Sequence, residues 1–246
     1  MENIALWGVI IVFALFSLQY LAGPILVYKS SVFPKEYKFN ILDTESFLSE
    51  RSETFLELHN QLRSLGFEHS GSSEFFLSHV SMYFSIYSNQ KLKIACILSS
   101  AKSELINSTQ IEFTQLYPDG SVLNVNNNNI HETYPANNLK MSFRFPEIND
   151  IEQLLKISQK LGPKFKDYEQ RIPLTKNREF DDVESFLNKE LKLLIDNGWV
   201  SSRTTNDYRK LTIKGALLLT WKNCWPVNKI LNNREINFSQ HANENT

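Results

Sequence analysis

The stretch IEFTQLYPDGSVL, residues 111–123, decides the fold class. Apolar and polar side chains alternate over residues 111–117, which is the period of a half-buried β-strand. The Pro-Asp-Gly triplet at 118–120 is typical of a tight turn between antiparallel strands, and the apolar pair at 122–123 begins a return strand. The stretch therefore predicts a β-hairpin.

The same alternation continues on both sides of this hairpin. It predicts strands at about 79–87 and 92–98 before the hairpin and at about 139–145 after it. Helical periods flank the series, over about 44–65 and about 149–161, ending at Gly66 and at Gly162. Strands in succession without intervening helices favour an α+β domain over 40–162, with a roughly five-stranded antiparallel sheet flanked by helices.

The N-terminal part of the chain has a different composition. Residues 4–28, IALWGVIIVFALFSLQYLAGPILVY, carry no charged side chain and are long enough to span a hydrocarbon core of about 30 Å. They predict a transmembrane helix after a short extension at 1–3, with the lipid bilayer as its partner. A cleaved signal peptide is the alternative, but the basic segment that such a peptide needs is absent and Tyr20 and Leu21 are bulky for a cleavage site.

The charges near this apolar stretch predict an orientation. Lys29, Lys35 and Lys38 follow the stretch, and neither lysine nor arginine precedes it. Because positive charges are retained inside, we expect a single-pass protein of the bacterial inner membrane with the bulk of the chain in the cytoplasm.

Overall charge argues against a polyanionic partner. The 246 residues include 26 Lys plus Arg and 27 Asp plus Glu, a net charge of −1. Without a basic excess, nucleic acid is an unlikely partner for the chain as a whole.

The remaining segments are predicted from local composition. Residues 29–39 and 163–180 are expected to be linkers, 181–230 a small unit of helix, hairpin and helix, and 231–246 a polar tail.

Part of the small unit resembles a known family. The stretch LIDNGWVSSRTTNDYRKLTIKGALLL, residues 194–219, resembles the end of a winged-helix domain, in which a helix ends at a glycine and a two-stranded wing leads into another helix. The resemblance implies a truncated winged helix, since 162–180 predicts no helix upstream. Arg203, Arg209 and Lys210 would neutralise few phosphates on DNA.

The whole chain resembles uncharacterised bacterial single-pass membrane proteins. The residues that carry this resemblance are LGFEHSG at 65–71, FTQLYPDGSVLNVNNN at 113–128 and YRKLTIKGALLLTWKNCWP at 208–226. The resemblance implies an architecture and transfers no residue roles.

Motifs for catalysis, metal binding or cofactor binding are missing from the sequence. The histidines at 59, 69, 79, 131 and 241 have no zinc-ligand spacing, and neither a nucleophile elbow nor a phosphate-binding glycine pattern occurs. The sequence predicts no catalytic residue, no metal and no cofactor.

Two groups of residues are candidates for binding. The polar stretch 124–138 predicts a ligand-binding loop with Asn126, Asn128, His131 and Tyr134, or a solvated connection between strands. Near the C-terminus, Trp221, Lys222 and Trp225 predict a short amphipathic helix that lies at the membrane interface or packs on the small unit.

These features predict a membrane-anchored, non-enzymatic interaction module with an unknown protein partner at the membrane. The alternatives are a small-ligand sensor or enzyme that uses the loop at 124–138, and a membrane-tethered DNA-binding regulator.

Overall fold

The computed structural model describes residues 2–77, 80–102, 107–135 and 137–245, so position 79 of a predicted strand lies outside the described residues. Within these ranges the side chains are described except at 2–5, 9, 12, 13, 15, 76, 77, 80, 81, 102 and 107.

Helices and strands are named in chain order. The helices are α1 Glu2–Ser30, α2 Thr44–Ser49, α3 Glu53–Ser64, α4 Ile151–Phe165, α5 Glu179–Asp196, α6 Ile213–Asn223 and α7 Val227–Glu244. The strands are β1 Val32–Pro34, β2 Glu68–Leu77, β3 Val80–Asn89, β4 Ile94–Lys102, β5 Asn107–Leu116, β6 Val122–Asn126, β7 Lys140–Arg144, β8 Val200–Thr205 and β9 Tyr208–Leu211. The predicted α+β class is confirmed.

The chain forms two compact units, each assembled from separate parts of the sequence. Unit 1 contains Met1–Glu36, Glu132–Pro135 and Leu191–Leu231. Unit 2 contains Tyr37–His131, Ala136–Glu190 and Asn232–Thr246. The units therefore differ from the contiguous segments that the sequence predicts.

Unit 2 is built on a sheet whose two faces are both covered. Helices α2, α3 and α4 pack on one face, where Phe55, Phe113 and Phe143 are fully buried. Phe84 and Ile86 point to the other face and pack against Leu174 and Phe180. Along β3 and β4, neighbouring residues thus point alternately into one core and into the other. This alternation explains why both faces of these two strands are buried.

The predicted hairpin is confirmed, but the sheet has a different edge. Its strand order is β2-β3-β4-β5-β6-β7, and all neighbours are antiparallel except β6 and β7, which are parallel. The prediction of a wholly antiparallel sheet was wrong because the long connection at 127–139 brings the chain back to the starting end of β6.

Strand β2 is an element that the sequence did not predict. It pairs with β3 from Glu68 to Leu77, with a bulge between His69 and Gly71, where Gly71 has φ +142°. Its serines hide the apolar alternation: Ser72 and Ser73 are fully buried and hydrogen-bonded. Buried polar side chains of this kind are recognisable only from their partners.

Two predicted helices have different bounds. The helix predicted over 44–65 is interrupted before Ser52, whose side chain caps α3 by accepting from the Phe55 N–H, and Gly66 adopts φ +80° just after α3. Helix α4 continues through Pro163 to Phe165 instead of ending at Gly162.

Unit 1 contains the predicted hairpin and an additional strand. Strands β8 and β9 form the hairpin as predicted, and β1, from the segment predicted as a linker, pairs antiparallel with β9 to give the order β1-β9-β8. The resulting sheet has three strands where the sequence predicted two.

The segment predicted as a polar tail forms helix α7. Within unit 2, the Arg144 N–H donates to Ser239 Oγ (2.8 Å), Arg144 Nε lies 3.2 Å from Glu235 Oε2, and the rings of Phe143 and Phe238 stack at 5.7 Å. These contacts fix the C-terminal residues on β7, because a buried arginine needs its carboxylate and carbonyl partners.

Helix α1 covers the whole of the stretch predicted as an anchor. Judged on the side chains that the structure describes, no helix has an apolar stretch long enough to cross a membrane.

Candidate membrane-contacting surface

Helices α1 and α6 pack closely within unit 1. A Cβ added at Gly23 would come within 2.7 Å of Thr220 Cγ2, so the glycine allows the close approach. Thr220 and Ala216 are buried on the α6 face that packs inward. Small residues at a helix contact let two backbones approach closely, in lipid as well as in water.

Aromatic side chains extend this contact beyond the end of α6. Tyr20 Oη donates to the Trp225 carbonyl oxygen (3.1 Å), and the rings of Phe16 and Trp225 meet edge-on at 5.7 Å. Trp221 lies 6.2 Å from the Tyr20 ring. Even so, both tryptophans are largely exposed to solvent: the exposed fraction is 59 % for Trp221 and 58 % for Trp225.

An exposed apolar stripe runs along the outer face of α6. Ile213, Leu217 and Trp221 recur every four residues, and their exposed fractions are 71 %, 53 % and 59 %. Side chains at this spacing lie on one face of a helix. We define these three residues as the α6 stripe.

Helix α1 is also apolar where it is exposed. Fifteen of the nineteen large apolar side chains that are exposed in the described part of the chain belong to unit 1. Those on α1 are Leu6, Trp7, Ile10, Ile11, Leu18, Leu21, Ile25, Leu26 and Tyr28.

Lysines flank the α6 stripe. Lys214 Nζ donates to the Asn197 carbonyl (2.9 Å) and lies 4.0 Å from the centre of the Trp199 ring. Lys222 Nζ donates to the Glu132 carbonyl (3.3 Å), while Lys29 and Lys229 are exposed. The structure thus places the predicted interface residues Trp221, Lys222 and Trp225 on and just after α6.

The predicted ligand-binding residues are divided between the two units. Asn126 Oδ1 accepts from the Asn128 N–H (3.1 Å), and Asn128 Oδ1 accepts from the Ile130 N–H (2.9 Å). These bonds shape the loop itself. His131 is buried in unit 2, whereas Tyr134 belongs to unit 1, where its ring lies 6.4 Å from that of Phe33.

A cavity of about 110 Å³ that the sequence did not predict lies between the sheet and α5 in unit 2. Its lining includes Glu112, Thr114 and Asn124 on the strands and Val183 and Phe186 on α5. Asn124 Nδ2 donates to Glu112 Oε1 (2.9 Å), and Asn124 Oδ1 has no hydrogen-bond donor among the described residues. These residues are far apart in sequence, so no local pattern indicates the cavity.

Two histidines of unit 2 belong to a buried hydrogen-bond network. His59 Nδ1 lies 2.7 Å from Tyr87 Oη, and His69 Nε2 lies 3.1 Å from Ser72 Oγ. Burial, together with the nearby His59 and Arg63, lowers the pKa of His69 to about 4. Ser72 is fully buried, so this Ser–His contact cannot act on a substrate and serves packing instead.

Comparisons with family models, with curated proteins and with solved structures gave no match to this chain. In the part of the chain that the structure describes, no three His, Cys, Asp or Glu side chains come together as a metal site. The exposed apolar surface of unit 1 is the feature with the clearest functional meaning, since such surfaces mark contacts with a partner or a membrane.

Proposed function

We propose that the chain is a membrane-attached, non-enzymatic interaction module. Unit 1 contacts the lipid bilayer, and unit 2 is presented to a protein partner at the membrane surface. The observation that supports this proposal is the concentration of exposed large apolar side chains in unit 1.

Apolar surface on α1 is unfavourable in water. Each Å² of exposed apolar area costs about 25 cal/mol, so nine large side chains on one helix represent a substantial penalty unless lipid covers them. Residues 4–28 carry no charge that would oppose insertion. The single-pass anchor at 4–28, with the bulk of the chain in the bacterial cytoplasm, belongs to this proposal; it rests on the full sequence of the stretch, which includes side chains outside the described ones.

Attachment to a membrane surface gives a non-enzymatic interaction module its purpose. A tethered domain meets partners on the same membrane at a much higher effective concentration than a freely diffusing one. The proposal thus explains an apolar unit and a well-packed unit in one chain.

The test is membrane flotation of the full chain and of two matched double variants. Leu18→Glu with Leu21→Glu places two carboxylates on exposed positions of α1, whereas Ile41→Glu with Ile172→Glu does so on exposed positions of unit 2. A carboxylate in the bilayer centre costs about 3 kcal/mol, so the α1 variant should lose at least about 90 % of its flotation.

The unit 2 variant should float with vesicles as the unmodified chain does. Extraction of the unmodified chain by alkaline carbonate, or equal flotation of both double variants, would contradict the proposal.

Two other predicted functions have less support. A ligand sensor would now involve the cavity beside Asn124, which lies at the start of the predicted loop. A DNA-binding wing is less favoured, because Arg209 Nε already donates to the Lys35 carbonyl (3.2 Å) and its Nη1 donates to the Ser202 carbonyl.

A further inference from the structure

We infer that α6 is a second membrane contact, which lies along α1 in one leaflet of an anionic bilayer with the α6 stripe toward the acyl chains. This inference rests on the proposed function and adds to it the second contact and the charge of the lipid.

The length and the two faces of α6 determine how it can meet a bilayer. Its eleven residues span about 16 Å, too short to cross the hydrocarbon core. One face, with Ala216 and Thr220, is buried inside unit 1, and the neighbouring face carries the α6 stripe. Because Thr220 meets α1 at Gly23 and Trp225 meets it at Phe16, α6 runs along α1 and its stripe enters one leaflet only.

The exposed aromatic residues favour lipid over water. Trp221 and Trp225 are both more than half exposed, although each touches an aromatic ring of α1. An indole ring is largely apolar, so its exposed surface is covered more favourably by lipid than by water.

The sequence around α6 has a charge that matches anionic lipid. Residues 208–233 contain Arg209, Lys210, Lys214, Lys222 and Lys229 and no Asp or Glu, in a chain whose net charge is −1. Lys210, Lys214 and Lys229 are exposed. Basic residues next to an apolar helix face attract it to anionic headgroups.

Continuity with α1 identifies lipid, rather than a second protein, as the occupant of the stripe. Helix α6 packs directly on α1 between Phe16 and Gly23, within the apolar stretch. If lipid surrounds α1 there, it is also the nearest cover for the α6 stripe.

The test uses the full chain with Trp221 as its one tryptophan, made by Trp7→Phe, Trp199→Phe and Trp225→Phe. The chain is reconstituted into phosphatidylcholine vesicles with or without phosphatidylglycerol, using lipids brominated in their acyl chains. Bromine quenches indole only at close range, so Trp221 emission should fall by about half or more in the anionic vesicles and less in the neutral ones. The matched control retains Trp199 alone, whose ring faces Lys214, and should be quenched less.

A companion variant tests the charge. Lys210→Gln with Lys229→Gln should remove most of the difference between anionic and neutral vesicles while retaining flotation, since both lysines are exposed. Equal quenching of Trp221 in anionic and in neutral vesicles, measured in the chain that retains Lys210 and Lys229, would overturn the anionic preference.

The outcomes separate this inference from the proposed function. A chain that floats but whose Trp221 is not quenched overturns the inference and leaves the tether intact, whereas a chain that does not float overturns the tether. Efficient disulfide formation between copies of a Leu217→Cys, Cys224→Ser variant would assign the α6 stripe to a second copy of the chain and also overturn the inference.

Discussion

Unit 1 and unit 2 distribute their apolar side chains in opposite ways. Of the 32 buried apolar residues in the described chain, four belong to unit 1 and the others to unit 2. Of the exposed large ones, only Ile41, Ile130, Ile172 and Phe238 belong to unit 2. Unit 2 thus obtains its stability from its own core, whereas unit 1 leaves most of its described large apolar side chains exposed.

The largest expected effect compares one apolar truncation in each unit. Phe113→Ala removes a fully buried ring from the core of unit 2 and should lower the free energy of unfolding by about 3–5 kcal/mol. Leu217→Ala removes part of the α6 stripe, 53 % exposed, and should change it by less than about 0.5 kcal/mol.

Urea unfolding of the full chain in detergent, followed by circular dichroism, measures both variants. A loss for Leu217→Ala as large as that for Phe113→Ala would mean that the α6 stripe is part of a core, and the contrast between the units would disappear.

Some features of both units could be predicted from the sequence because they depend on residues that are neighbours in the chain. The turn at 118–120 forms as predicted: Asp119 Oδ1 accepts from the Ser121 N–H (2.9 Å), and Gly120 takes φ +79°. The predicted interface residues Trp221, Lys222 and Trp225 are equally local, since they lie within five residues of the chain, whereas Ile213 of the α6 stripe was not predicted as part of that surface.

The rest depends on partners that are distant in sequence. Nothing near β7 indicates that it pairs parallel with β6, and nothing near β1 indicates that it pairs with β9. Residues 231–246 look polar and unstructured because the features that hold α7, Arg144 and the Phe143 ring, lie about 90 residues earlier. The cavity beside Asn124 was missed for the same reason.

A smaller effect is expected at the ion pair that fixes α7 in unit 2. Arg144 is 2 % exposed and lies 3.2 Å from Glu235, whose side chain is one-third exposed. Glu235→Gln weakens the charge compensation of a buried guanidinium and should cost about 2 kcal/mol, less than for a fully buried pair.

The matched control is Glu152→Gln, which breaks the exposed pair between Glu152 and Lys156 and should cost less than about 0.5 kcal/mol. Hydrogen exchange of α7 measures the local consequence. Unchanged protection of α7 in Glu235→Gln would show that the stacked rings, and not the ion pair, hold the helix.

The smallest expected effect is a pH dependence confined to unit 2. Burial, with His59 and Arg63 nearby, lowers the pKa of His69 from 6.5 to about 4, so the unfolded chain binds a proton in a pH range where the folded chain does not. Stability from His69 is therefore complete above pH 6.5 and is lost as the pH falls toward 4, by about 1–2 kcal/mol after allowance for its partial exposure.

Comparison of unmodified and His69→Gln chains isolates this contribution, because carboxylates that titrate in the same range are common to both. The difference between their urea midpoints should change between about pH 7.5 and about pH 4.5. His241→Gln is the control, since the His241 side chain is 76 % exposed and should leave the pH profile unaltered. Parallel profiles for the unmodified and His69→Gln chains would show that the His69 environment admits enough water to protonate the ring in the folded state, and the buried network of unit 2 would then extend no further than His59 and Tyr87.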